Sequence, residues 1–133
     1  MPYLNIALCA PASAQTTGWI AALLTDLTAE VLRKKRDLTV VRVEYAAPES
    51  WYIGGTALAA RGRTAFHLDI KVTEGSNTRD EKAAFVERVF AGLEAALGRL
   101  DPTSYVVIHE LRADAWGYGG RTQEFRYAAG KAG

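Results

Sequence analysis

The chain has 133 residues, enough for one domain with its own core and too few for two ordinary ones. With 49% apolar and 23% charged residues it is not a disordered chain. Sixteen Lys and Arg against fifteen Asp and Glu leave a net charge of only +1, which argues against nucleic acid as a partner.

Cys9 is the only cysteine, so neither an intramolecular disulfide nor a Cys-built zinc site is available. Two histidines, His67 and His109, are too few to suggest a metal centre by themselves. Neither a metal nor a cofactor is expected. No run approaches the roughly 18 to 20 apolar residues of a membrane span. The start, Met1-Pro2-Tyr3-Leu4-Asn5-Ile6, lacks the cationic region and apolar stretch of a secretion signal. The expectation is a cytoplasmic protein with no membrane partner.

The chain opens on an alternating segment. Leu4, Ile6 and Leu8 share one parity and Asn5, Ala7 and Cys9 the other, the pattern of a strand with one face on a core. Ile20, Leu23, Leu24, Leu27, Val31 and Leu32 then recur at spacings of three and four and predict a helix. The basic run Arg33-Lys34-Lys35-Arg36 closes it, where cations suit the negative end of the helix dipole. Trp19 keeps helical spacing with Leu23 and is expected in the core. Leu38 to Tyr45 reads as a second strand, with Val41 and Val43 toward the helices and Val40, Arg42 and Glu44 away from them. A short loop leads to Trp51-Tyr52-Ile53-Gly54-Gly55, a turn whose glycines supply positive φ. Residues 56–64 link onward.

The same order then returns. Leu68, Ile70 and Val72 alternate with His67, Asp69 and Lys71. Thr78-Arg79-Asp80-Glu81 is a capping-box start. Ala83, Val86, Val89, Phe90, Leu93, Leu97 and Leu100 continue the helix, which Asp101-Pro102 ends. In Ser104 to Leu111, Val106 and Ile108 face the helices and Tyr105, Val107 and His109 face away. Trp116-Gly117-Tyr118-Gly119-Gly120 repeats the Trp turn 65 positions after Trp51.

This is a duplicated βαβ unit, since parallel strands need a helical crossover and the unit occurs only twice. Residues 1–133 are expected as a single domain. The pseudo-repeats run from about 2 to 60 and from about 65 to 127, with a mobile tail over 128–133. The fold class is α/β, an α+β sandwich with a four-stranded sheet and both helices on one face. The other sheet face is mixed rather than uniformly polar, so other subunits are expected to cover it.

The order resembles the tautomerase superfamily, and most closely a fused, two-unit relative of 4-oxalocrotonate tautomerase. Three features carry the resemblance. Pro2 directly follows Met1. Ile108-His109-Glu110-Leu111 is followed, six residues after Glu110, by Trp116-Gly117-Tyr118-Gly119-Gly120, like the family's strand ending in Glu and its aromatic-Gly-apolar-Gly-Gly hairpin. Val72-Thr73-Glu74-Gly75 leads into a polar helix start. The resemblance implies a homotrimer. It also implies that Met1 is removed and that the exposed proline is the catalytic base. Met-Pro has the small second residue that methionine aminopeptidase accepts. A free proline nitrogen is a secondary amine, and burial or a nearby cation disfavours its charged form. It can then take a proton beside a carbonyl and return it elsewhere. The second half has Phe66 at the aligned strand start and no terminus, so one active site per chain is expected.

The family binds substrate carboxylates with arginines, and neither Cys9-Ala10-Pro11-Ala12-Ser13 nor Gly75-Ser76-Asn77 carries one at the matching point. At the strand position stand Val40 and Tyr105. Arg42, of the same facing as Val40, is the candidate carboxylate clamp; the alternative is an ion pair with Glu44 or with an acid across a subunit boundary. Trp116, and Trp51 in the first half, either wall the pocket and keep it dry or pack at an interface. Tyr105 or a backbone N–H is the candidate for a developing oxyanion. His109 shares the face of Tyr105, either reaching the site or held by a structural hydrogen bond. Cys9 is expected to pack as a small buried residue.

The expected function is a tautomerase or isomerase in which Pro2 moves a proton on a small 2-oxo acid. Two rivals remain open. One is a proline-dependent hydratase, dehalogenase or decarboxylase, which needs a carboxylate near the proline to position water, with Glu44 as candidate. The other is a trimer that binds a small acid or a protein without turnover.

Overall fold

The computed structural model describes residues 2–132. Met1, whose removal the expected chemistry requires, and Gly133, at the end of the expected tail, lie outside the described residues.

Each half builds a strand, a helix, a parallel strand and a two-residue hairpin. The first has β1 (Tyr3–Cys9), α1 (Ala14–Glu30), β2 (Val40–Tyr45) and the hairpin β3 (Tyr52–Ile53) and β4 (Thr56–Ala57). The second has β5 (Ala65–Thr73), α2 (Arg79–Leu97), β6 (Tyr105–Leu111) and the hairpin β7 (Gly117–Tyr118) and β8 (Arg121–Thr122). The sheet order is β2-β1-β5-β6. β1 pairs in parallel with β2, β5 pairs in parallel with β6, and the halves meet where β1 runs antiparallel to β5. At that junction Tyr3 stands opposite Lys71 and Cys9 opposite Ala65. Gly54 and Gly55 have φ of 59° and 80°, and Gly119 and Gly120 have 60° and 80°. Both two-residue turns therefore take the left-handed geometry that matches strand twist and favours glycine.

Strand parity is as the alternation predicts. Leu4, Ile6, Leu8, Leu68, Ile70 and Val72 are buried beneath Ile20, Leu24 and Leu27 of α1 and Phe85, Val89 and Leu93 of α2. Val41, Val43, Val106 and Ile108 pack against this core from the outer strands. The helix ends differ from expectation. α1 stops at Glu30, and the basic run lies beyond it: Arg33 has a φ of 60°, Lys34 Nζ donates to Ser76 Oγ at 2.7 Å, and Arg36 pairs with Asp26 at 2.6 Å. α2 stops at Leu97, because Gly98 takes a φ of 83° before Asp101-Pro102 is reached. Its start is the capping box: Thr78 Oγ1 accepts from the Glu81 amide at 3.1 Å, and Glu81 Oε1 accepts from the Thr78 amide at 2.8 Å. Trp19 is 43% exposed rather than in the core. α1 turns Ile20, Leu24 and Leu27 inward, and Trp19, one residue ahead of Ile20, is rotated about 100° off that stripe.

A third helix, α3 (Gln123–Ala132), covers most of the stretch expected as a mobile tail. Thr122 Oγ1 accepts from the Phe125 amide at 3.0 Å, and the Arg126 guanidinium lies 3.8 Å over the Tyr118 ring. Among the described residues no helix is long and apolar enough to cross a membrane. The sheet face opposite the helices is open in the single chain, with Val40 51% and Tyr105 61% exposed.

Two stability outcomes follow from this packing. Phe85 is fully buried between helix and sheet, so Phe85→Ala is expected to lower the unfolding free energy by about 3–5 kcal/mol, read by urea denaturation. Asp101 is also buried, with Oδ1 accepting from the Thr103 amide at 2.9 Å and Oδ2 from Arg61 Nη1 at 3.3 Å. The Thr103 amide chiefly, with Arg61 adding, holds this carboxyl below its ordinary value. A depressed carboxyl stabilises the fold above its unfolded-state pKa of about 3.9, and that contribution is lost as pH falls through the lower folded-state value. Asp101→Asn should therefore lower Tm at neutral pH, and its gap to the wild type should close in scans taken progressively below about pH 4.

Candidate active site

Pro2 is buried at the start of β1. Its carbonyl accepts from the Val40 amide at 3.2 Å, so the β1–β2 ladder holds it in place. It opens onto a cavity of about 590 Å³, within the range of small-molecule sites. Tyr3, Leu38, Val40, Leu111, Trp116 and Tyr118 supply most of the wall and make it largely apolar. Two charged side chains, Lys71 and Asp37, also line it.

Trp116 comes from the second hairpin, 114 positions from Pro2. Its Nε1–H donates to Thr73 Oγ1 at 3.2 Å, which fixes the indole at the end of β5. Since β5 ends beside the start of β1, this anchor sets the ring against Pro2. Lys71 reaches the cavity through the same register, being paired with Tyr3 across the junction. Its Nζ lies 5.8 Å from the centroid of the Tyr3 ring. Among the described residues neither Lys71 nor Asp37 forms an ion pair. Lys71 is an exposed side chain that lines the cavity, and its ammonium is a ready partner for a carboxylate.

The structure thus brings Pro2 and Trp116 together and places the other three expected residues elsewhere. Arg42 lines an adjacent pocket with Asn5, Asp69 and His109, separated from the Pro2 cavity by the shared Tyr3 and Lys71. Its guanidinium pairs with Glu44 and donates to Asn5 Oδ1 at 3.4 Å. The ion pair weighed from the sequence is therefore the one formed, and it occupies Glu44 as well. Trp51 and Tyr105 share a different cavity with Phe66 and His67. His109 is held by Asp69, Nε2 to Oδ1 at 2.6 Å. Cys9 is buried against Leu58 and Ala65, with Trp51 over it, and burial raises its thiol pKa.

Lys71 and Asp37 were missed in sequence. Lys71 reads as an outward-facing strand residue, and only the antiparallel register of β1 with β5 brings it to Pro2. Asp37 sits in a short 3₁₀ turn, Arg36–Leu38, that carries no periodic signal. The available clue was its closeness to the start of a strand parallel to β1.

Residues 67–126 match a family model described as Tautomerase enzyme. Across nearly the whole chain, the fold matches F6, a wild-type fused 4-OT asymmetric trimer. The TM-score is 0.82 with 16% identity, covering 93% of this chain and 98% of that one. Residues 67–126 belong to the tautomerase family, and the whole chain has the fused, two-unit form of its fold. The structure of Pt0534 inactivated by 2-oxo-3-pentynoate is similar too, with a TM-score of 0.82, 13% identity and coverage of 93% and 98%. So is the macrophage migration inhibitory factor-like protein of Entamoeba histolytica, with a TM-score of 0.75, 21% identity and coverage of 91% and 97%. No curated protein matches by sequence.

Within this tautomerase fold the second hairpin has the least room to vary. A Cβ on Gly117 would collide with the Arg121 carbonyl and with Thr122 Cα. Gly117→Ala should spring the hairpin and release Trp116. The expected outcome is a loss of the ordered near-ultraviolet circular dichroism of one tryptophan, with the far-ultraviolet spectrum of the sheet and main helices kept.

Proposed function

We propose that the chain is a tautomerase that moves a proton on a small 2-oxo acid, with Pro2 as the base and then the acid once Met1 is removed. The observation that carries this reading is the burial of Pro2 in an apolar cavity beside the free ammonium of Lys71. Burial disfavours a charged secondary amine, and the ammonium acts in the same direction. A neutral amine can then take the proton from the carbon next to the carbonyl and deliver it to the far end of the enol. Lys71, rather than Arg42, would hold the carboxylate. Trp116 and Leu111 would keep water out and strengthen both interactions. The proposed assembly is a homotrimer that covers the open sheet face around Val40 and Tyr105, a reading that rests on the trimer named for F6.

A second reading is favoured by Asp37. A carboxylate in the same cavity raises the amine pKa and can position water, which suits a cationic proline acting as acid in hydration or decarboxylation. Glu44 is already paired with Arg42, so Asp37 takes its place in this reading.

The test is ketonisation of phenylenolpyruvate by protein whose intact mass shows Met1 gone, with the pH dependence of kcat/KM. The tautomerase reading expects a proline pKa below about 8, and the water-adding reading one above it. Pro2→Ala should lower kcat/KM by at least about a hundredfold, and Lys71→Gln should raise KM about tenfold with a smaller change in kcat. Equal rates for wild type and Pro2→Ala would remove both catalytic readings.

A further inference from the structure

The chain carries a second cavity of about 410 Å³, built from the same positions as the first and stripped of its charges. Seven of its lining residues are counterparts of residues that line the Pro2 cavity. Phe66 and His67 at the start of β5 correspond to Pro2 and Tyr3 at the start of β1. Thr103 and Tyr105 before and on β6 correspond to Leu38 and Val40 before and on β2. Trp51, Tyr52 and Ile53 of the first hairpin correspond to Trp116, Gly117 and Tyr118 of the second. Each hairpin thus crosses the molecule to close the cavity at the other half's strand starts.

The chemistry differs in a consistent direction. Phe66 replaces the proline, and its backbone nitrogen is an amide that donates nothing basic. Its N–H is taken up by Ser104 Oγ at 3.2 Å. The positions corresponding to Lys71 and Asp37 are Ala7 and Pro102, so neither charge is kept. His67, the one titratable nitrogen of the wall, already lies 3.6 Å from Asp69 Oδ1. What remains is aromatic: Trp51, Tyr52 and Tyr105, with the His67 ring edge-on to Tyr105 at a centroid distance of 6.4 Å, while the Phe66 ring is buried in the core. Tyr52, on the hairpin, is 63% exposed and presents ring surface to an incoming ligand.

We propose that this cavity is a second binding site, without turnover, for a neutral planar aromatic molecule about the size of a substituted phenol. Aromatic walls attract an aromatic ligand by offset and edge-to-face contacts, and among the described residues that line it there is no Lys or Arg to hold a carboxylate.

The test uses the processed, assembled protein and 4-methoxyphenol as the neutral probe, with phenylacetate as its charged counterpart. The readout is the indole N–H resonances of Trp19, Trp51 and Trp116, assigned by single Trp→Phe variants. 4-Methoxyphenol should move the Trp51 resonance saturably at millimolar concentration, at least about five times more strongly than that of Trp116, and phenylacetate should reverse the preference. Tyr52→Ala, at an exposed hairpin position, should weaken the neutral probe about fivefold in the same titration. An unmoved Trp51 resonance would overturn the proposal, as would equal responses of Trp51 and Trp116 or unchanged affinity in Tyr52→Ala. Because the readout is a resonance shift, the result stands apart from whether Pro2 catalyses anything.

Discussion

The antiparallel pairing of β1 with β5 is the constraint on which the rest of the molecule depends. It joins two parallel βαβ units, each of which alone would leave both of its strand edges unpaired. It also sets, by register, what lies next to the start of the chain. With Tyr3 opposite Lys71, the end of β5 and the hairpin beyond it arrive at Pro2. A slip of one residue would turn Leu68, Ile70 and Val72 out of the core. The hydrophobic burial that stabilises the sheet therefore also holds the site geometry, and no separate device is needed to position the proline.

The fold was legible because both signals that specify it are local. Alternation at period two marks the strands and spacing at three and four marks the helices. The repetition of the whole order reveals the duplication. Helix ends were less legible, since one positive-φ glycine, Gly98, outweighs the downstream Asp101-Pro102. Trp19 was misplaced because spacing to Leu23 fixes a neighbouring row on the helix but not which row faces the sheet.

Of the candidate site, the sequence pointed to Pro2 and to the hairpin around Trp116, which line one cavity. Lys71 could not be read, because its closeness to Pro2 is created by its pairing with Tyr3, 68 positions away. Arg42 has the facing expected of it, yet Glu44, two residues on along the same strand face, neutralises it first. Trp51 and Trp116 look equivalent in sequence. The cross-over of the hairpins sends them to different cavities, one with Pro2 and two charged side chains and one with neither.

The cross-over makes the two halves interdependent. Neither repeat can complete a recess from its own residues, so a change in the hairpin of one is felt at the strand starts of its twin. The two halves differ in the composition of what they shelter, yet each closes its twin's recess with the same Trp-x-x-Gly-Gly turn.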